Sequence, residues 1–227
     1  MGTKISLHIL FVISMLLMAY TKAGKKKRIV FFGDSITEQG IQPGGYITKI
    51  DSIIKQENVD TQYELIGAGI GGNKVYELFL RLDEDVINKN PDITVLYIGV
   101  NDVWHKTTKG TGTDEDKFEK FYRAIIKKLQ YVNSKVILCT PAVIGERKDY
   151  TNSQDGDLNR YSNIIKKLAT EFSLPLVDLR KLFVDYDAVN NLENKDRGVL
   201  TTDGVHLNPI GNLLVANTMW EAIKKVK

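Results

Sequence analysis

Five short apolar runs recur along this chain, at Ile29 to Phe32, Tyr63 to Ile66, Ile93 to Ile98, Val136 to Cys139 and Leu174 to Val177. They are mostly continuous instead of alternating with polar residues. Such runs suit strands covered on both faces, the usual situation in a parallel sheet. Helical spacing fills the gaps. Phe118, Phe121, Tyr122, Ile125, Leu129 and Val132 form one stripe. Leu158, Tyr161, Ile165, Leu168 and Phe172 form a second, and Leu213, Ala216, Trp220 and Ile223 a third. Three-and-four spacing marks the buried face of a helix, and Asp114 and Glu115 stand near the start of the first stripe, where the helix dipole favours negative charge. Strands alternating with helices predict βαβ units, hence an α/β fold with helices on both faces of a parallel sheet. The segments Lys106 to Thr113 and Gly145 to Gly156 read as surface loops. No repeat, low-complexity tract or dividing linker interrupts the pattern.

A chain of 227 residues, 43% of them hydrophobic, is long enough for one domain with a core that needs no staples. The formal charge is +3, with lysines scattered along helices, which argues against a nucleic-acid surface. The single cysteine, Cys139, lies inside an apolar run and reads as a small buried hydrophobe; one cysteine forms no internal disulfide.

Residues 1–23 are a different kind of sequence. Lys4 precedes an almost wholly apolar stretch from Ile5 to Tyr20, and Thr21-Lys22-Ala23 then offers small residues before Gly24. That is the layout of a secretory signal peptide cleaved after Ala23. The expected product, residues 24–227, is secreted or periplasmic, with no stable membrane insertion. The apolar stretch falls short of the roughly 20 residues of a membrane span, although an uncleaved anchor is the alternative. No cysteine near the cleavage site supports a lipid anchor.

Four short motifs follow in order, each after an apolar run or in a loop before a helix. They are Gly33-Asp34-Ser35, Gly69 in a glycine-rich turn, Gly99-Val100-Asn101-Asp102, and Asp203-Gly204-Val205-His206. The carboxyl ends of parallel strands are where such a fold collects its chemistry. Ser35 directly follows the first strand; it is either a nucleophile or a helix cap. A serine hydroxyl needs a base, and imidazole serves near neutral pH. Of the three histidines, His8 lies in the leader, leaving His206 and His105. Asp203 is close enough in sequence to hold the His206 ring in one tautomer, or to cap the turn. Gly69 offers an unobstructed backbone N–H and Asn101 a side-chain amide; each is either an oxyanion donor or a turn residue. Gly67 to Gly72 also fits a dinucleotide-binding fingerprint, but it follows the second strand, and Asp92 precedes a strand instead of ending one. Nucleotide binding is therefore set aside.

Together these blocks resemble the SGNH hydrolases, the GDSL-type lipase/esterase family. Gly33-Asp34-Ser35-Ile36 resembles its first block, with Ile36 where the family name has leucine. Gly99-Val100-Asn101-Asp102 is similar to its third, and Asp203-Gly204-Val205-His206 before Leu207-Asn208-Pro209 to its last. The resemblance runs from Ile29 to the final helix. One departure is Gly67, where many members carry an asparagine that supports the loop. The resemblance implies a flavodoxin-like three-layer αβα sandwich with a five-stranded parallel sheet. It implies Ser35 as nucleophile, His206 as base and Asp203 as orienting acid, with Ser35, Gly69 and Asn101 as the oxyanion hole. It implies an acyl-serine intermediate, no cofactor and no metal.

The function expected is an exported serine esterase acting on small-molecule or carbohydrate esters, short acyl or O-acetyl. The alternatives are a lysophospholipase or thioesterase, and a non-catalytic ligand-binding member of the fold. Trp104 and His105 are candidates for the pocket wall, with His105 otherwise exposed to solvent. Asp102 reads as structural, tying its loop to neighbours.

Overall fold

The computed structural model describes residues 25–226; the expected signal peptide, residues 1–23, lies outside them. Five strands, β1 (Lys27–Gly33), β2 (Tyr63–Gly69), β3 (Ile93–Tyr97), β4 (Lys135–Cys139) and β5 (Leu176–Val177), form one sheet in the order β2-β1-β3-β4-β5. Every pairing is parallel, and Ile29 of β1 lies between Leu65 of β2 and Ile93 of β3. Eight α-helices connect and flank the strands among the described residues: α1 (Ser35–Gly40), α2 (Tyr46–Gln56), α3 (Val75–Asp85), α4 (Val100–Thr108), α5 (Glu115–Tyr131), α6 (Asp155–Glu171), α7 (Leu179–Asn190) and α8 (Pro209–Lys224).

Strand pleating divides the core in two. Ile29, Phe31, Val95 and Ile137 face one side, against Ile50 and Ile54 of α2, Phe183 of α7 and Met219 and Trp220 of α8. Val30, Phe32, Leu96 and Leu138 face the other, against Leu78 and Leu82 of α3, Tyr122 and Ile125 of α5 and Tyr161 and Ile165 of α6. Successive residues on opposite faces, both covered, explain why the sequence runs are continuous. The result is the three-layer αβα sandwich that the sequence predicts, with the functional loops at the carboxyl edge of the sheet.

The deviations have local causes. The edge strand β2 is only partly buried, which lets Glu64 stand in it and pair with Arg28 at 2.9 Å. β5 shrinks to two residues because Pro175 has no N–H to give the ladder; its carbonyl still accepts from Leu138 N at 3.0 Å. The expected loop 106–113 begins inside α4. Lys106 in the last turn suits the dipole, and buried Val103 and His105 pack the helix inward as it runs to Thr108. Gly156 likewise lies inside α6, whose first turn holds Asp155 and Asp157. Val132 is the residue just beyond the end of α5. Among the described residues no helix is long and apolar enough to cross a membrane.

Candidate active site

Ser35 is the first residue of α1, just past the carboxyl end of β1, which lies inside the sheet between β2 and β3. The helix cap is its neighbour: the Asp34 carboxylate accepts from Ile36 N at 3.0 Å. The Ser35 hydroxyl is therefore not needed for capping. Its Oγ lies 2.9 Å from His206 Nε2, and His206 Nδ1 lies 2.7 Å from Asp203 Oδ2. With Nδ1–H donating to the carboxylate, Nε2 carries the lone pair that faces Ser35. Asp203 performs both duties left open by the sequence, since its Oδ1 also accepts from Val205 N at 3.0 Å and His206 N at 2.8 Å. Partial burial pushes its carboxyl up, but the bonds from the His206 ring and the two amides outweigh this and hold it below the ordinary value.

The Asp203–His206 turn is anchored from a distance. Glu146, buried in the loop after β4, accepts from the amides of Val199 (2.8 Å), Leu200 (2.6 Å) and Thr201 (2.6 Å). A short antiparallel bridge between Thr201 and Leu207 closes the segment. Asn208 then caps α8, accepting from Ile210 N and Gly211 N at 2.9 Å each.

Gly69 ends β2 in register with Gly33. A Cβ there would overlap the backbone N of Glu38 and the carbonyl carbon of Thr37, so α1 can close on the strand only if residue 69 is glycine. Because Ile70 N donates to Gly33 O (3.3 Å), alternation turns the Gly69 amide away from β1. The next turn passes Ser35: a methyl on Gly71 would meet Ser35 Cβ at 3.9 Å. Asn101, buried in the first turn of α4, donates one amide hydrogen from Nδ2 to Asn73 O at 3.1 Å and keeps the second. The loops bearing Ser35, Gly69, Asn101 and His206 thus share one edge of the sheet.

Arg81 holds this edge together. Its guanidinium donates to Gly33 O (2.7 Å), Ala68 O (3.1 Å), Asn73 Oδ1 (2.7 Å) and Asp85 Oδ2 (2.6 Å), with its Cζ 4.6 Å from the Phe32 ring centroid. Gly67, which lacks the family's supporting asparagine, is covered by Ile41, whose Cγ2 occupies the space a side chain would need. Neither Arg81 nor Glu146 is apparent from the sequence: Glu146 works through amides 53 to 55 residues away, and Arg81 reaches the carbonyls of Ala68 and Gly33, 13 and 48 residues back.

Asp102 is structural, as its sequence position indicates. It is fully buried, its two oxygens accept from Val75 N at 3.2 and 3.3 Å, and burial pushes its carboxyl up to about 7. That amide begins α3, where a nucleotide phosphate would bind if Gly67 to Gly72 were a dinucleotide loop; Asp102 already holds it. Burial likewise pushes Asp34 up to about 7. Trp104 stands beside His206, their ring centroids 6.3 Å apart. His105 corrects the expectation of an exposed side chain. It is buried beneath Trp104 near Gly72, with Nδ1 unpartnered among the described residues. It lies four residues after Asn101, which puts it on the inward face of α4. Burial, then the charges of Lys109 and Lys74, lower its pKa. Cys139 is buried in β4, as expected, and burial pushes its thiol well up. Among the described residues no group of three acidic, histidine or cysteine side chains is placed to hold a metal ion.

Known proteins resemble this chain in sequence and fold. Residues 31–214 match the model of the GDSL-like Lipase/Acylhydrolase family. An acetylxylan esterase of Geobacillus stearothermophilus is 27% identical over 220 residues, covering 89% of this chain and 96% of the relative. A human isoamyl acetate-hydrolyzing esterase 1 homolog is 25% identical, covering 87% and 82%. The crystal structure of the acetyl xylan esterase AlAXEase superposes with a TM-score of 0.85 at 61% identity, covering 86% of this chain and 99% of that one. A serine, a histidine and an aspartate in hydrogen-bonded line, on the fold of solved esterases and inside a family match of that extent, identify the chain as a carboxylic ester hydrolase that belongs to the GDSL-like lipase/acylhydrolase family.

Proposed function

We propose that this chain, as residues 24–227 after export on the signal peptide 1–23, removes O-acetyl groups from carbohydrate through an acyl-serine intermediate. The hydrogen-bonded line Asp203–His206–Ser35 carries the mechanism, and the two acetyl xylan esterases among its relatives support the substrate class. As Ser35 Oγ attacks the acetyl carbonyl carbon, its proton passes to His206 Nε2. The imidazolium is stabilised by Asp203. The carbonyl oxygen becomes an oxyanion facing the amides of Ser35 and Gly69 and the second N–H of Asn101 Nδ2. Each such donor supplies about 3–4 kcal/mol of transition-state stabilisation. Collapse breaks the ester bond, and the sugar oxygen leaves with the proton from His206. Water then gives its proton to His206 and attacks the acetyl-serine carbonyl. Acetate leaves and the hydroxyl of Ser35 is restored.

The test compares the purified chain with Ser35→Ala on p-nitrophenyl acetate, butyrate and octanoate and on acetylated xylan. The expected result is activity that falls with acyl length, release of acetate from xylan, and loss of both in the variant. Equal rates for the two proteins would overturn the reading.

A further inference from the structure

A cavity of about 160 Å³ opens between the loop after β4 and helix α7. It does not contain Ser35, His206 or Asp203, and the reaction described above does not use it. Arg180, Val184, Asp187 and Ala188 line it from α7, and Asn159 lines it from α6. Asp187 is 3% exposed, and its Oδ1 has no hydrogen-bond partner among the described residues. Burial, then the charge of Glu146, pushes its carboxyl up to about 7, and a buried carboxyl oxygen without a partner is rare enough to call for one. Arg180, 6% exposed, donates to Asn159 Oδ1 (2.8 Å), Ala142 O (3.1 Å) and Asp155 Oδ1 (2.6 Å). A guanidinium has five N–H groups, so two stay unassigned.

The chemistry of the wall selects the guest. The wall mixes charges: Asp155 and Asp187 stand against Arg147, Lys148 and Arg180, so an ion of either sign meets a like charge. A hydroxyl suits both, since it donates to a carboxylate and accepts from a guanidinium. Tyr150 stands on the rim, 89% exposed with φ of 65°, an uncommon backbone conformation for a bulky residue. An exposed aromatic face offers a platform for the C–H face of a ring. The volume equals about five waters at ~30 Å³ each, the scale of a small guest. The same loop reaches the catalytic turn: Gly145 N donates to Gly204 O at 2.9 Å and Glu146 N to Asp196 O at 3.0 Å.

We propose that this cavity is a subsite for a neutral sugar unit, held by Asp187 and Arg180 and stacked on Tyr150. It deepens the proposed function and rests on it for the choice of sugar. The test titrates xylobiose into the full chain, followed by calorimetry and by the Tyr150 ring signals in NMR. Asp187→Asn and Tyr150→Ala are run in parallel, the second changing only an exposed side chain. The expected result is a shift of the Tyr150 signals, with binding weakened about tenfold by Asp187→Asn, the weight of one hydrogen bond. Hydrolysis of p-nitrophenyl acetate should change less than twofold, whereas KM for acetylated xylan should rise in both variants. Xylobiose affinity equal in all three proteins, or no binding to any, would overturn the proposal even if acetylated xylan is a substrate. Conversely, binding through Asp187 and Tyr150 without turnover of acetylated xylan would support the subsite and overturn the substrate reading.

Discussion

Asp34 takes the capping duty at the head of α1, and that frees Ser35 to bond His206. The division of labour extends to Asp203, which orients the imidazole with one oxygen and the turn with the other. Asp203→Asn should keep the turn but favour the wrong tautomer, lowering kcat on p-nitrophenyl acetate by about 10³–10⁴-fold. Steady-state kinetics on the two proteins check this, and a loss under tenfold would remove Asp203 from the mechanism. A second effect concerns Asp102, whose carboxyl stands at about 7 when folded against an ordinary 3.8. Between those values the folded protein keeps a proton that the unfolded chain has released, so Asp102 lowers stability as pH rises through that window. Asp102→Asn should therefore gain stability relative to wild type from about pH 4 to 7 and level off above it. Urea unfolding of both proteins across that range checks the sign; a flat or falling difference contradicts it. Ser35 and His206 were readable because few histidines compete and the motifs flank strand ends. His105 was misread because its burial comes from the packing of α4, which no local motif marks.

Helices and strands place these residues, and the loops between them decide how firmly. The turn bearing Asp203 and His206 hangs on Glu146, which receives three consecutive amides in a buried place. Glu146→Gln should cost about 2–3 kcal/mol of stability, because it weakens charge-assisted bonds and turns an amide toward donors. It should also lower kcat with little change in KM, since the loosened turn moves the base and not the substrate surface. Urea unfolding and steady-state kinetics check the two effects; unchanged values in both would deny the anchor. Nothing in the sequence distinguished Glu146 from a solvent-facing loop glutamate, because its partners lie 53 to 55 residues ahead. Arg81 was equally silent, one arginine on a helix until its carbonyl partners are seen. The strands themselves were legible as continuous apolar runs. The ends were less so: Pro175 shortened β5, and the inward packing of α4 extended a helix into an expected loop.

At the scale of the molecule, one parallel sheet with two separate cores gathers every motif at its carboxyl edge. The alternation of strands and helices foretold that architecture, and the family resemblance named it. The order β2-β1-β3-β4-β5 was not written in any run, since it depends on which way each crossover turns. With β1 inside the sheet, Ser35 emerges beside the ends of β2 and β3, where Gly69 and Asn101 follow. This convergence is what we propose makes Ser35 a nucleophile activated by His206. A fluorophosphonate, which reacts with activated serines, tests it directly when its adduct is located by peptide mass spectrometry. One adduct on Ser35 of the folded chain, absent after denaturation and in His206→Ala, is the predicted result. An adduct elsewhere, or none while ester hydrolysis persists, would contradict it.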